Sequence, residues 1–172
     1  MCAHYLFFLA PSGCFQYWNS GRTGVIKSFN YQGGRYWSNQ SYRICIRSAD
    51  HACTLALSSV DTGDFHLHRN GSRSLSGVGH SSCPRDYLWI PGTVETLSSP
   101  SKTNQELDDR YCGSQLSDLD GEIIPGVVIA RMHSDVHVIE FRTGQCDDES
   151  QGFRISYTQM SECPTTITPS IK

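Results

Sequence analysis

Short runs of alternating apolar and polar residues recur along the chain, whereas the periodicity of a helix is nearly absent. In the run Cys53–Leu57 every second residue falls on one side of an extended strand, because neighbouring side chains in a strand point to opposite faces. Phe65 and Leu67 are paired inward in the same way. The pattern predicts about eight or nine strands. Those that it locates lie at 24–29, 42–47, 53–57, 64–68, 87–90, 127–132, 136–141 and 153–157.

Clusters of Gly, Pro, Ser and Asn separate the predicted strands. Each sheet must bury one face, and many short strands divided by turns are typical of a sandwich or jelly roll. We therefore predict a single antiparallel β-sandwich. Two polar stretches, Asn70–Pro84 and Val94–Asp109, are predicted to be exposed loops within it.

The chain of 172 residues suffices for one domain with a hydrophobic core. We assign 13–163 to this domain, 1–12 to an N-terminal segment and 164–172 to a C-terminal tail. The apolar stretch Tyr5–Ala10 lacks a basic flank and is either a signal-peptide remnant or an edge strand. The longest apolar run, Gly126–Ala130, is far below the roughly 20 residues of a membrane span, so no span is predicted.

The charge of the chain limits the classes of partner that it is expected to bind. The chain has 14 basic and 17 acidic residues, a net charge of -3, and no block of like charge. Binding to nucleic acid or to an anionic membrane surface normally requires a basic patch. Neither partner is therefore predicted.

The cysteines indicate an oxidising compartment. They are even in number, scattered along the chain and never arranged as CxxC, which favours disulfides over a zinc site. The sequons Asn39-Gln40-Ser41 and Asn70-Gly71-Ser72 fit the same compartment, so we predict a secreted glycoprotein. The eight cysteines are Cys2, Cys14, Cys45, Cys53, Cys83, Cys112, Cys146 and Cys163.

Several local motifs follow one another in the order of a known family. Gly13-Cys14-Phe15-Gln16-Tyr17 opens the series, Cys45 and Cys53 lie eight apart, and Cys83-Pro84-Arg85-Asp86-Tyr87-Leu88 leads into Tyr111-Cys112-Gly113. Gly152-Phe153-Arg154-Ile155-Ser156-Tyr157 closes it. The chain resembles a CUB domain over 13–163 and is similar to the CUB-like secreted proteins of arthropods.

The resemblance implies a jelly-roll sandwich in which the first cysteine pair, Cys45 with Cys53, and the second, Cys83 with Cys112, form disulfides. Outside that pattern, Cys14 with Cys163 would join the two ends of the domain. Cys2 and Cys146 are then either paired with each other or available to another chain.

Many CUB domains bind calcium through three acidic side chains, and only one position matches here. Asp86 follows the third cysteine of the pattern, but no Glu occurs near Ser58–Val60 and the late Asp is replaced in Phe141-Arg142-Thr143-Gly144. Asp147 or Asp148 would have to shift along the loop to supply an oxygen ligand. We predict no calcium and no other cofactor, and assign Asp86 to a turn.

No motif predicts catalysis. His66 and His68 point the same way on a strand, yet no third metal ligand lies near in sequence. His133-Ser134-Asp135 and His80-Ser81-Ser82 contain the residue types of a triad, but adjacent side chains cannot form the relay. The chain also lacks GxSxG, HExxH and P-loop motifs, so we predict that it is not an enzyme.

Aromatic residues near the start of the domain are the candidates for partner binding. Tyr and Trp are the usual anchors of protein interfaces and of sugar stacking, and the alternative is that they fill the core. Tyr36 and Trp37 are adjacent, so one of them faces solvent if they lie on a strand. The predicted contact residues are Tyr17, Trp18, Tyr36 and Trp37.

We therefore predict an extracellular, non-catalytic binding or adhesion module for a protein or glycan. One alternative is a building block of a matrix, filament or coat, which would assemble with itself. Another is an accessory domain of a secreted protease. The fold does not identify the ligand, because function depends on the site that a fold carries.

Overall fold

A computed structural model describes residues 10–19, 21–31, 34–69, 71, 74–94, 109–145 and 150–163. Within these ranges no helix is long and apolar enough to cross a membrane. The described strands are β1 Cys14–Trp18, β2 Thr23–Lys27, β3 Ser41–Arg47, β4 Thr54–Ser59, β5 Phe65–His66, β6 Ser76–Val78, β7 Tyr87–Trp89, β8 Thr93–Val94, β9 Arg110–Gly113, β10 Val128–Arg131, β11 Val136–Arg142 and β12 Gly152–Met160.

The strands form two sheets. Sheet one has the order β1-β3-β11-β7-β9-β6, and sheet two has the order β2-β12-β4-β10-β8, with β5 paired to the start of β12. The predicted antiparallel jelly-roll sandwich is confirmed, with one exception: β1 and β3 run parallel. The exception arises because β2, which connects them in sequence, lies in the other sheet.

Alternation along the strands builds the core between the sheets. Sheet one buries Ile44, Leu88 and Phe141, and sheet two buries Leu57 and Phe153. The rings of Phe141 and Phe153 meet across the interface at a centroid distance of 5.3 Å. Each fully buried side chain of this size contributes about 1.5–3 kcal/mol of hydrophobic stabilisation.

Eight of the strands coincide with predicted ones to within a few residues, and β1, β6, β8 and β9 were not predicted. Strand β6 lies inside the stretch predicted to be a loop, because Ser76-Gly77-Val78 has no alternation of large apolar residues. Its burial comes from polar contacts instead: the Ser76 hydroxyl donates to the Leu119 carbonyl at 2.6 Å. Gly77 is required there, since a Cβ would lie 2.5 Å from the Cys112 Sγ.

Two of the predicted disulfides are wrong. Cys83 pairs with Cys112 as expected, but Cys14 pairs with Cys45 and Cys53 pairs with Cys163. Cys45 lies in sheet one beside the parallel strand β1, whereas Cys53 precedes β4 of sheet two and donates its N–H to Met160 near the end of β12. Each cysteine therefore bonds within its own sheet. Cys2 and Cys146 lie outside the described residues.

Candidate functional site

The four aromatic residues predicted to bind a partner occupy different environments. Trp37 is 67% exposed, whereas Tyr36 is 5% exposed, so adjacent residues face solvent and core. Tyr17 and Trp18 are half-buried on β1, and the Trp18 ring packs edge-on to Tyr157 at 6.4 Å. The prediction for Tyr36 is wrong, because its ring packs against Phe141 and its hydroxyl is used internally.

The Tyr36 hydroxyl binds the one acidic residue that matched the calcium pattern. It donates to Oδ2 of Asp86 at 2.6 Å, while the Gly144 N–H donates to Oδ1 of the same carboxylate at 2.7 Å. The Tyr36 hydroxyl in turn accepts the His68 N–H at 3.3 Å. Burial and the bond to Asp86 raise the pKa of Tyr36 far above its usual value, so the hydroxyl stays a donor.

Asp86 is bound, among the described residues, by protein hydrogen-bond donors on both of its oxygens, and the carboxylate is 2% exposed. Among the described residues no group of three or more His, Cys, Asp or Glu side chains could hold a metal ion. Asp147 and Asp148 lie outside the described residues, so the absence of calcium stays a prediction. Asp86 instead ties the loop after β11 to the segment before β7.

A different surface combines exposed aromatic area with charge. In β7 the side chain of Leu88 points into the core, so Tyr87 and Trp89 point away from it. The register places Trp89 opposite Glu140 on one side and Arg110 on the other, while Arg43 lies opposite Glu140 on the next strand. We define the arginine–tryptophan face as Arg43, Tyr87, Trp89, Arg110, Glu140 and Arg142, on β3, β11, β7 and β9.

Tyr87 organises two guanidinium groups on this face. The Cζ atom of Arg110 lies 4.3 Å from the centre of the Tyr87 ring, a distance typical of a cation–π contact. Arg142 lies opposite Tyr87 in the strand register and donates from Nε to Glu140 at 2.7 Å. That hydrogen bond and the charge of Glu140 raise the pKa of Arg142. Both cations are therefore held in place beside Trp89.

The face is positive on a chain that is negative as a whole. Its six members include three arginines and one glutamate, whereas the chain has a net charge of -3. The Arg142 side chain is 52% exposed and Trp89 is 36% exposed, while Glu140 is largely covered. A partner would therefore meet guanidinium groups and an indole ring, the side chains most enriched at interface hot spots.

Sequence reasoning missed this face, although part of its signal was present. Leu88 and Phe141 are fully buried, and the residues that follow them, Trp89 and Arg142, are exposed, as alternation along a strand predicts. What the sequence does not show is that these two strands are neighbours. The face forms because the strand order places β7 beside β11, which brings together residues about 50 positions apart in sequence.

The candidate glycosylation sites differ in what the structure describes. Asn39 is exposed and adopts a positive φ of 55° in the turn before β3. Asn70 lies outside the described residues. Of the histidines and serines considered for metal binding or a triad, the His80 ring contacts Arg110, and Ser134 Oγ donates to the Val136 carbonyl at 2.7 Å.

A family model described as "Animal CUB domain" matches residues 11–160. A search of curated proteins returned no match. Among solved structures, the CUB1-EGF-CUB2 domains of rat MASP-1 are 17% identical, with a TM-score of 0.48, over 84% of this chain and 42% of that one. The chain thus spans less than half of that fragment.

Two further solved structures are similar at the same level. The MASP-1 CUB2 domain bound to Ca2+ is 21% identical, with a TM-score of 0.46, and the match covers 84% of this chain and 98% of that chain. The full extracellular region of zebrafish Gpr126/Adgrg6 is 19% identical, with a TM-score of 0.47, over 87% of this chain and 15% of that chain.

Proposed function

The chain belongs to the animal CUB domain family, and from that premise we propose that it is a secreted, non-catalytic module that binds an extracellular protein through its arginine–tryptophan face. CUB domains are extracellular protein-interaction modules and are typically non-catalytic. The narrower resemblance to arthropod secreted proteins stays a prediction from the sequence motifs.

One observation carries the choice of surface. Trp89 lies between Glu140 and Arg110 in the register, on interior strands of sheet one, so the face presents side chains rather than an unpaired strand edge. Recognition there depends on flat rings and planar guanidinium groups. Guanidinium groups bind carboxylates through two parallel hydrogen bonds, so the face suits an acidic segment of a folded protein.

The arrangement also limits the entropy lost on binding. The Arg110 side chain is stacked on Tyr87, and Arg142 is held by Glu140, so neither must be ordered when a partner arrives. Immobilising a long side chain at an interface costs about 0.5–1.5 kcal/mol. A preformed pair of cations therefore favours association at a face of modest size.

The native extracellular partner is first captured by cross-linking it to the secreted, disulfide-bonded protein. The affinities of variants of the chain for this partner are then compared. Trp89→Ala and Arg142→Gln should each weaken equilibrium binding by more than about 1 kcal/mol, the usual threshold for an interface anchor. Lys27→Gln is the charge-matched control on sheet two and should leave binding unchanged. Equal affinities for all four proteins would contradict the proposed surface.

The same preparation separates the alternatives drawn from the sequence. A structural building block would form large assemblies of this chain alone, which size-exclusion chromatography under non-reducing conditions would reveal. An accessory domain of a protease would occur in its native source joined to a longer chain. Protease treatment of the native material before it is mixed with the chain would abolish binding to a protein partner and leave binding to a free glycan intact.

A further inference from the structure

The exposed ring of Trp37 lies two residues before the sequon asparagine at position 39. Solvent exposure alternates along this segment: Trp37, Asn39 and Ser41 are exposed, whereas Ser38 and Gln40 are only half-exposed. The indole ring and both functional residues of the sequon are therefore accessible to solvent.

Four hydrogen bonds to Thr143 and Gly144, in the loop after β11, fix the backbone of this segment. The Thr143 hydroxyl donates to the Trp37 carbonyl at 2.9 Å and accepts the Gln40 N–H at 2.8 Å. The Gln40 carbonyl accepts the Thr143 N–H at 2.9 Å, and the Gly144 carbonyl accepts the Asn39 N–H at 2.8 Å. The backbone of Trp37, Asn39 and Gln40 is thus tied to a single neighbouring loop before anything binds it.

The backbone conformation of Asn39 places it in a turn rather than in a strand. Its φ of 55° lies in the left-handed region, which Asn tolerates better than most residues with a Cβ. Exposed turns are where glycosylated asparagines occur in secreted proteins. The sequon is therefore both accessible and held in one geometry.

We propose that Asn39 carries an N-linked glycan and that the first N-acetylglucosamine of this glycan packs on the indole ring of Trp37. This inference rests on the extracellular location in the proposed function but not on the arginine–tryptophan face. The apolar face of a sugar ring removes indole surface from water, and the fixed turn supplies the alignment at little cost in entropy. Trp37 is then a platform for the chain's own glycan rather than a contact for a protein partner.

The proposal is tested on the protein secreted from a eukaryotic cell line, as wild type, Trp37→Ala, Ser41→Ala and the double variant. Ser41→Ala removes the sequon while leaving Asn39 in its turn. Glycosylation at Asn39 should raise the folding equilibrium constant of the wild-type protein by about fivefold, the size of a typical aromatic contact. In the Trp37→Ala variant, the same glycan should change the folding equilibrium constant by less than about twofold.

Enzymatic trimming sharpens the assignment to the first sugar. An endoglycosidase that leaves one N-acetylglucosamine on Asn39 should retain the stabilisation, and an amidase that removes the whole glycan should abolish it. In NMR spectra the ring protons of this sugar should move upfield in the wild type and return in Trp37→Ala. The sequon at Asn70 is a matched control, because the residue two positions before it is His68.

Three results would overturn the proposal. The first is secreted, disulfide-bonded protein whose Asn39 carries no glycan. The second is a glycan that stabilises Trp37→Ala as much as wild type. The third is loss of partner binding in Trp37→Ala when Ser41→Ala binds normally, which would make Trp37 a protein contact. The first two results concern only the glycan and leave the Trp89 and Arg142 variants untouched, so the two proposals can fail separately.

Discussion

At the scale of single residues, the core of the sandwich contains one histidine that must stay neutral. His137 lies on β11 among inward-facing residues and is 5% exposed, and its Nε2 has no hydrogen-bond partner among the described residues. Burial, with a smaller contribution from the charge of His133, lowers the pKa of His137 to about 4. The folded protein thus resists a protonation that the unfolded chain accepts near pH 6.5.

This difference predicts that acid weakens the fold through His137. A pKa that is lower in the folded state contributes stability above the unfolded value of about 6.5, and this stability is lost as the pH falls toward 4. The full effect is on the order of 3 kcal/mol, given about 1.4 kcal/mol per pKa unit. Urea unfolding of wild type and His137→Gln between pH 7 and pH 4 measures it.

The variant should show a clearly shallower fall in the free energy of unfolding over that pH range. His133→Gln is the matched control: its side chain is exposed, and it removes only the smaller cause of the pKa shift. If wild type and His137→Gln lose stability in parallel, the buried histidine is not responsible for the acid sensitivity.

At the scale of elements, the strands with large alternating residues could be predicted and those without them could not. Leu55 and Leu57 identify β4, and Phe153 and Ile155 identify β12, because each pair is fully buried on one face. By contrast, the burial of Ser76 depends on its hydroxyl, which donates to the Leu119 carbonyl and accepts the Glu122 N–H of a distant segment. Such contacts leave no local pattern in the sequence.

The disulfide pairing is a second feature of the elements that the sequence did not predict correctly. The resemblance to CUB domains implied a short bridge from Cys45 to Cys53, but the two residues belong to different sheets. Only the strand order shows that Cys53 lies beside the end of β12 and can reach Cys163. The pairing was correct for Cys83, which precedes β7 in sequence, and Cys112, which lies on the neighbouring strand β9.

The disulfide from Cys53 to Cys163 should stabilise the fold more than a disulfide between residues that are close in sequence. It spans a sequence separation of 110, for which the loss of loop entropy in the unfolded chain is worth about 4–5 kcal/mol. Cys163 is exposed and Cys53 half-buried, so replacing both by Ala removes little packing. The double variant should lose most of that free energy in urea unfolding; a loss below about 1 kcal/mol would be incompatible with this pairing.

At the scale of the whole molecule, different parts of the sandwich have different roles. The interior stack of Tyr36, Tyr42, Phe141 and Phe153 joins the sheets, the outer side of sheet one carries the arginine–tryptophan face, and the loop at Trp37 carries the sequon. The cysteines and sequons predicted secretion, and the resemblance to CUB domains implied a binding module. Alternation predicted that one of Tyr36 and Trp37 would be exposed if they lay on a strand. The binding face could be identified only from the structure, which shows that β7 lies between β11 and β9.

Site-specific photo-cross-linking tests most directly whether this face binds a protein partner. A photoreactive amino acid is placed at Trp89, or at Thr158, an exposed position on β12 in the interior of sheet two. Each secreted protein is irradiated with native extracellular material, and the products are separated under denaturing, non-reducing conditions. We predict a discrete, saturable adduct from position 89, competed by unlabelled wild type, and none from position 158. An adduct from position 158 alone, or none from either position while the wild type still binds its partner, would contradict the account.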